Sequence, residues 1–181
     1  MRILGIDPGS TATGFGVVER VEGRVIHVAH GTLRPPRGLC LARRLSFLHA
    51  SVSEQIRQHG PELAVVERVF IAANPRSALV LGQARGAILA ALAAEGLEVG
   101  ELAAREVKKA VTGTGAATKA QVQSMVARLL DLDAEPPSDA ADALAVAICR
   151  AHMGRLAGMD LRGASRRRRR PRSVSSLRGA R

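Results

Sequence analysis

Four carboxylates, those of Asp7, Glu67, Asp139 and Asp142, lie at the ends of apolar segments, where chains usually place apolar side chains. Burying an unpaired carboxylate is costly unless it is neutralised or binds a cation. A cluster of such hard oxygen ligands suits Mg²⁺ or Mn²⁺, and the chain has no Cys/His spacing typical of a zinc site. We therefore expect the four acids to meet at one divalent-metal site.

The residues next to each acid predict the strand or helix that carries it. Asp7 closes the strand-like ILGID before a Pro-Gly turn, and Glu67 ends the strand-like run LAVVE. Asp139 and Asp142 follow two prolines in PPSDAADALAVAICRAH, which is typical of a helix with Ser138 as its N-cap. Residues three apart share a helix face, so this pair is expected to point at one spot.

Each acid also has an ordinary structural interpretation when taken alone. Asp7 could form a turn, Glu67 could be a surface charge at a strand end, and the other two could be first-turn acids favoured by the helix dipole. Separate explanations of this kind are much less convincing when all four acids occur in one chain. The combination favours a metal site.

Strand and helix patterns predict an α/β domain over residues 1–153 with a mixed sheet. Residues 2–34 have the pattern of a three-stranded antiparallel meander. The remaining predicted elements are, in order, helix 40–59, strand 63–67, helix Pro75–Ala94, strand Leu97–Leu102, helix 104–111, helix Thr118–Leu130 and a last helix that carries the acid pair to about His152. Thr118 and Gln121 have the spacing of a capping box.

The predicted helix Pro75–Ala94 is apolar on nearly every side, and Gly82 and Gly86 share one of its faces. A helix of this kind is either central in a large core or covered by a partner. Because the domain is small, we expect a symmetric homodimer packed partly on this helix. The alternative is a central core helix in a monomer.

Most of the chain's positive charge lies in residues 154–181, which carry +9 of the total net charge of +11. A run of five arginines without apolar periodicity predicts a disordered basic tail. Such a tail adds salt-sensitive attraction to phosphates. The alternative is a solubility tail or a cloning remnant.

Cys40 and Cys149 are far apart in sequence and lie in apolar-looking surroundings, which favours reduced core thiols in a cytosolic protein. The first strand begins at once after Met1, with no signal-peptide pattern. The most apolar stretch, residues 78–94, is interrupted by Arg85. We therefore expect a soluble, cytoplasmic protein that does not bind a membrane.

Four blocks carry a family resemblance, in matching order and spacing: ILGIDPGS with a following G-x-G, VVERVF with SALVLGQARG, AAREVKKAVTGTGAATKAQV, and DAADALAVAI. Over residues 1–153 the chain resembles the RuvC family of Holliday junction resolvases. The resemblance implies a ribonuclease H-like fold with a mixed five-stranded sheet flanked by helices, and a homodimer. It also implies two Mg²⁺ ions in each active site, with Mn²⁺ able to substitute, held by Asp7, Glu67, Asp139 and Asp142 as the catalytic tetrad.

The same resemblance implies a substrate and partners. The substrate is four-way junction DNA, cut by paired symmetric nicks during recombination and repair, and the partners are the branch-migration proteins RuvA and RuvB. Phe70 matches an aromatic that stacks on bases, and Lys108 and Lys119 match basic residues near the scissile phosphate. Taken alone, a single Phe is more often a core residue and the lysines would be solvated charges. Arg76 is a further candidate for a phosphate contact.

One departure from the family pattern is Leu102, which stands before the AAR block where relatives carry an aromatic; the chain also lacks Trp and Tyr. Base stacking is then expected to depend on Phe70 and on arginine planes.

Three other functions compete with this interpretation. A phosphotransferase or ATPase of the actin and sugar-kinase superfamily begins with a similar Asp-x-Gly loop, but it needs two such domains to enclose a nucleotide. An RNA-processing nuclease with a ribonuclease H-like fold would share the metals and act on RNA. A non-catalytic junction-binding protein would have no use for four acids that repel DNA phosphates.

Overall fold

The sheet begins as an antiparallel meander in the computed structural model, which describes residues 1–68 and 74–153. Its strands are β1 (Arg2–Asp7), β2 (Thr13–Val21) and β3 (Arg24–Leu33). Glu22 and Gly23 connect β2 to β3 with φ values of 51° and 85°, the left-handed backbone of a tight hairpin. The predicted meander is confirmed.

Two parallel strands complete the sheet. They are β4 (Leu63–Arg68) and β5 (Glu98–Ala103), and the strand order is β3-β2-β1-β4-β5. Parallel pairing requires crossover connections, which are supplied by α1 (Leu41–His59) and α2 (Pro75–Ala94). The predicted mixed five-stranded sheet is confirmed, and β1, which carries Asp7, is its central strand.

Helices cover both faces of the sheet, and side chains alternate between them. Leu4 of β1 packs with α1 and α2 on one face, whereas its neighbour Ile3 packs on the other. That second face is covered by three helices: α3 (Ala104–Thr112), α4 (Lys119–Leu129) and α5 (Ser138–His152). The predicted element order is confirmed throughout.

Helix α5 lies unusually close to the sheet because glycines and alanines form the contact. A side chain at Gly5 would collide with the main-chain oxygen of Ala143, and one at Gly14 with that of Asp139. A Cβ atom at Gly16 would lie only 2.7 Å from the Leu144 side chain. This close contact fixes the height and the direction of α5 over β1 and β2.

The helix ends differ from expectation in one place. Thr118 accepts a hydrogen bond from the Gln121 N–H, and the Gln121 side chain bonds back to the Thr118 N–H, so the predicted capping box is confirmed. The prediction that Ser138 caps α5 is wrong. Pro137 holds the N-cap position, and Ser138 is the first helical residue. Two prolines already fix the chain in the extended entry conformation that the cap needs.

The two thiols also differ from each other. Cys149 is buried in α5, as predicted, but Cys40 is exposed, so the prediction that it is a core residue is wrong. The reason is position. Cys40 is the N-cap of α1 and ends an irregular loop instead of entering the apolar face of the helix.

Helix α2 packs against α1 through one face and leaves another uncovered. Its buried residues are Ala84, Ile88, Ala91 and Leu92, while Leu79 is 64% exposed. By length and composition alone, α2 is long and apolar enough to cross a membrane. A single such helix is weak support for a membrane span, and the expected absence of membrane binding stays a prediction.

Gly5→Ala is expected to lower the free energy of unfolding by about 2 to 3 kcal/mol, because the added methyl group meets Ala147 N at 2.8 Å and forces α5 away from β1. Gly100→Ala is a matched control. It also lies in a strand, but its nearest neighbour would be 3.9 Å away. Denaturant unfolding of both variants checks this. Equal stability of the two variants would show that α5 does not need the glycine surface.

Candidate active site

Parallel pairing of β1 with β4 brings the first two acids together. Ile6 is paired with Val66, so the next residues, Asp7 and Glu67, emerge side by side where both strands end. Both side chains are half-buried. The carboxyl ends of parallel strands are a common place for functional sites, because the chain turns there and leaves a crevice.

Helix α5 supplies the third carboxylate. Its first turn lies over the start of β2, where Gly14 is paired with Asp7, and this places Asp142 opposite the strand ends. Asp7, Glu67 and Asp142 line one pocket, and its wall includes the apolar side chains of Val107 and Val122. Three of the four predicted acids therefore converge.

Two lysines line the same pocket, as their predicted roles require. The ammonium group of Lys119 lies 3.1 Å from Asp142 Oδ2, and its pKa is raised first by this hydrogen bond and then by the charge of Asp142. Lys119 is the first residue of α4, immediately after the Thr118 capping box. Lys108 comes from α3, and its positive charge acts to lower the pKa of Glu67. The structure thus brings both lysines to the carboxylates.

The carboxylates are nevertheless short of positive charge. Burial, followed by the neighbouring charges of Glu67 and Asp142, raises the pKa of Asp7 to about 8. Burial, followed by the charge of Asp142, also raises the pKa of Glu67. Acids that resist ionisation in this way gain most from a bound cation, because the cation removes the repulsion between them. Their oxygen donors are of the type that a divalent hard metal ion prefers.

Asp139 is turned away from the other three acids. Its Oδ2 atom accepts a hydrogen bond from Arg34 Nη2 at 2.9 Å, and its side chain does not line the pocket. Its charge still contributes to the raised pKa of Lys119, behind that of Asp142, so Asp139 lies at the margin of the site. Within residues 1–68 and 74–153, no three acidic, histidine or cysteine side chains are already grouped to hold an ion. The predicted tetrad would require Asp139 to turn inward.

Arg34 is the residue that sequence reasoning missed. It follows β3, far from every acidic motif, and nothing in its local sequence distinguishes it from the other arginines. Only the pairing of β3 with β2 and the approach of α5 bring it to Asp139.

Among the described residues, the structure brings no other predicted DNA-contacting residue to the pocket. Phe70 lies outside the described residues. Arg76 is exposed in the first turn of α2, and its side chain is not among those that line the pocket. Leu102, at the position of the missing aromatic, is 7% exposed and packs in the core.

Comparison with known families decides the class of protein. The family model described as crossover junction endodeoxyribonuclease RuvC matches residues 3–150. The chain belongs to the RuvC family. As a RuvC protein it is a metal-dependent endodeoxyribonuclease that acts on crossover junctions, and its fold is ribonuclease H-like. This membership decides against the phosphotransferase, RNA-processing and non-catalytic alternatives.

Individual RuvC relatives cover nearly the whole described part of the chain. A crossover junction endodeoxyribonuclease RuvC of Hyphomonas neptunium is 54% identical over 152 residues, which are 84% of this chain and 91% of the relative. One of Burkholderia vietnamiensis is 52% identical over 158 residues, 87% of each chain. A solved structure of Thermus thermophilus RuvC in complex with a Holliday junction substrate is 33% identical, with a TM-score of 0.80 over 87% of this chain and 96% of that one.

Asp7→Asn is expected to stabilise the metal-free protein at about pH 8, by roughly 1 to 3 kcal/mol. The pKa of Asp7 is raised from 3.8 to about 8 in the folded state, so the folded state binds more protons than the unfolded state between these values. The free energy of unfolding must then fall as the pH rises through that window, and the asparagine removes the contribution of Asp7 to this fall. Denaturant unfolding in EDTA at several pH values measures it.

The exposed residue Asp133 gives the control, since Asp133→Asn is expected to leave the pH dependence unchanged. If Asp7→Asn loses stability at about pH 8, the carboxylates do not repel one another as described.

Proposed function

We propose that Asp7, Glu67, Asp139 and Asp142 are the catalytic carboxylates, and that they hold two Mg²⁺ ions, with Mn²⁺ able to substitute. The observation that carries this proposal is the convergence of Asp7, Glu67 and Asp142 in one pocket, where burial and mutual repulsion raise the pKa of Asp7. Apolar walls and two lysines surround these acids. The residue types favour magnesium over a softer metal.

When bound, such ions would supply activation of the attacking water and stabilisation of the leaving 3′ oxygen. The protein's part is to position the reacting groups. Asp7 is our candidate for the ligand shared by both ions, because the central strand holds it most rigidly. Glu67 lies beside it on β4, and Asp142 faces both from α5.

The lysines are proposed to bind the scissile phosphate. Lys119 is 75% exposed although it is paired with Asp142, so its ammonium group is free to reach a phosphate at the mouth of the pocket. Lys108 lies on the same wall. Arg76 would contact the phosphate backbone farther along α2, and Phe70 would stack on a base near the junction centre. The tail of residues 154–181 would add non-specific attraction to DNA.

We also propose that the enzyme is a symmetric homodimer built on α2, whose exposed apolar face includes Leu79. Two active sites related by a twofold axis can nick two strands of like polarity at symmetric points of a four-way junction. The solved complex of the Thermus thermophilus relative with a Holliday junction substrate supports the proposal that a four-way junction is the substrate. Partnership with RuvA and RuvB, and a cytoplasmic location, are proposed on family grounds.

Cleavage of a mobile four-way junction tests the function and the site together. With Mg²⁺ or Mn²⁺ the wild type is expected to give paired symmetric nicks, and with EDTA no cutting. Asp7→Asn should lower the rate by at least about a hundredfold, because a metal ligand is lost. Linear duplex of the same sequence is the control substrate, and equal cutting of duplex and junction would contradict junction selectivity.

Gly82→Leu is expected to convert the dimer to a monomer of unchanged fold. Gly82 lies on the exposed side of α2, and a side chain added there meets nothing within 4 Å in the same chain. A leucine there would therefore obstruct only a second copy that approaches closely. Size-exclusion chromatography with light scattering measures the mass. A wild type that is monomeric, or a variant that stays dimeric, would contradict packing on this face.

A further inference from the structure

The ion pair between Arg34 and Asp139 joins a catalytic acid to a basic residue outside the pocket. Arg34 Nη2 lies 2.9 Å from Asp139 Oδ2, and the two side chains are 63% and 34% exposed. The other ion pair of α5 is different, because Lys119 lines the pocket together with its partner Asp142. Of the four proposed catalytic acids, Asp139 is thus the one that does not line the pocket, and its partner Arg34 holds it there.

The backbone brings Arg34 to this position. Leu33, the last residue of β3, is buried and pairs with Thr13 at the start of β2. The next residue along β2, Gly14, touches the main chain of Asp139. Pro35 follows Arg34, and a residue before proline favours an extended backbone. Arg34 thus comes directly after β3 and reaches Asp139 in the first turn of α5.

The free energy of the Arg34–Asp139 ion pair determines whether a bound metal ion can displace Arg34. An ion pair between exposed side chains contributes only about 0–1 kcal/mol. That is enough to orient the Asp139 carboxylate in the free protein, and too little to hold it against a divalent ion bound by several carboxylates. The guanidinium group, once released, lies beside the site with five donors that match a phosphate group.

We propose that Arg34 is a positioning residue that competes with the metal ion for Asp139 and transfers to a DNA phosphate when the substrate binds. Cation binding at Asp139 and DNA binding then strengthen each other, because each favours the release of Arg34 from the carboxylate. The free enzyme holds its metal site incomplete, and junction DNA completes it. This inference rests on the proposed role of Asp139 as a metal ligand.

Calorimetric titration with Ca²⁺ tests the proposal without any need for cleavage. In the absence of DNA, Arg34→Gln is expected to bind the ion about two to five times more tightly than the wild type, because a competing charge is gone. Arg34→Lys keeps the charge and should stay close to the wild type. Loss of structure alone would weaken binding, so tighter binding is specific to competition.

Arg57 provides a matched control at a distance from the site. It is 64% exposed and pairs with Glu95 at 2.7 Å, so Arg57→Gln removes an equivalent ion pair and should leave Ca²⁺ affinity unchanged. With four-way junction DNA present, the wild type should gain Ca²⁺ affinity, and Arg34→Gln should gain less.

Two results separate the possible failures. If Asp139→Asn binds Ca²⁺ as tightly as the wild type does, Asp139 is not a ligand, and the proposed metal site is overturned at that residue together with the inference. If Asp139→Asn weakens binding but Arg34→Gln matches Arg57→Gln, the metal site stands and the role of Arg34 is overturned.

Discussion

Contact between α5 and the glycines of β1 and β2 determines most of what this protein can do. Gly5, Gly14 and Gly16 place no side chain of their own between sheet and helix, and ten of the fifteen residues of α5 are buried between the sheet and the helices α3 and α4. At such a short distance the helix cannot rotate or slide without a collision. The positions of Asp139 and Asp142 over the end of β1 therefore follow from packing and not from any attraction between the acids, which repel one another.

That packing also sustains an unfavourable electrostatic arrangement. Asp7 and Glu67 stand side by side at the ends of paired strands, and α5 adds a third carboxylate facing them. Lys119 and Arg34 each offset one helix acid, whereas burial still holds the pKa of Asp7 far above its usual value. The apolar core supplies the stability that this arrangement costs, so the three acids stay close together although they repel one another.

Secondary structure followed closely from local patterns. The capping box at Thr118, the apolar spacing of α1 and the β-branched run of β4 are each contained within a few residues, and the predicted elements agree with the structure to within one or two residues at their ends. The errors were also local: Cys40 was predicted to be a core residue and Ser138 to be an N-cap. Cys40 lies one residue before α1 and is therefore exposed, and Pro137 takes the N-cap position that was predicted for Ser138.

The sequence by itself determined the family and the order of the elements and singled out the four acids as candidates, because strand ends and helix starts are encoded by short-range spacing. It also contained the unusual apolar character of α2. Only the tertiary structure decided which acids meet, since strand register places Asp7 beside Glu67 and close packing sets the height of α5. The partnership of Arg34 with Asp139 spans 105 residues and arises from three separate elements, which no local pattern records.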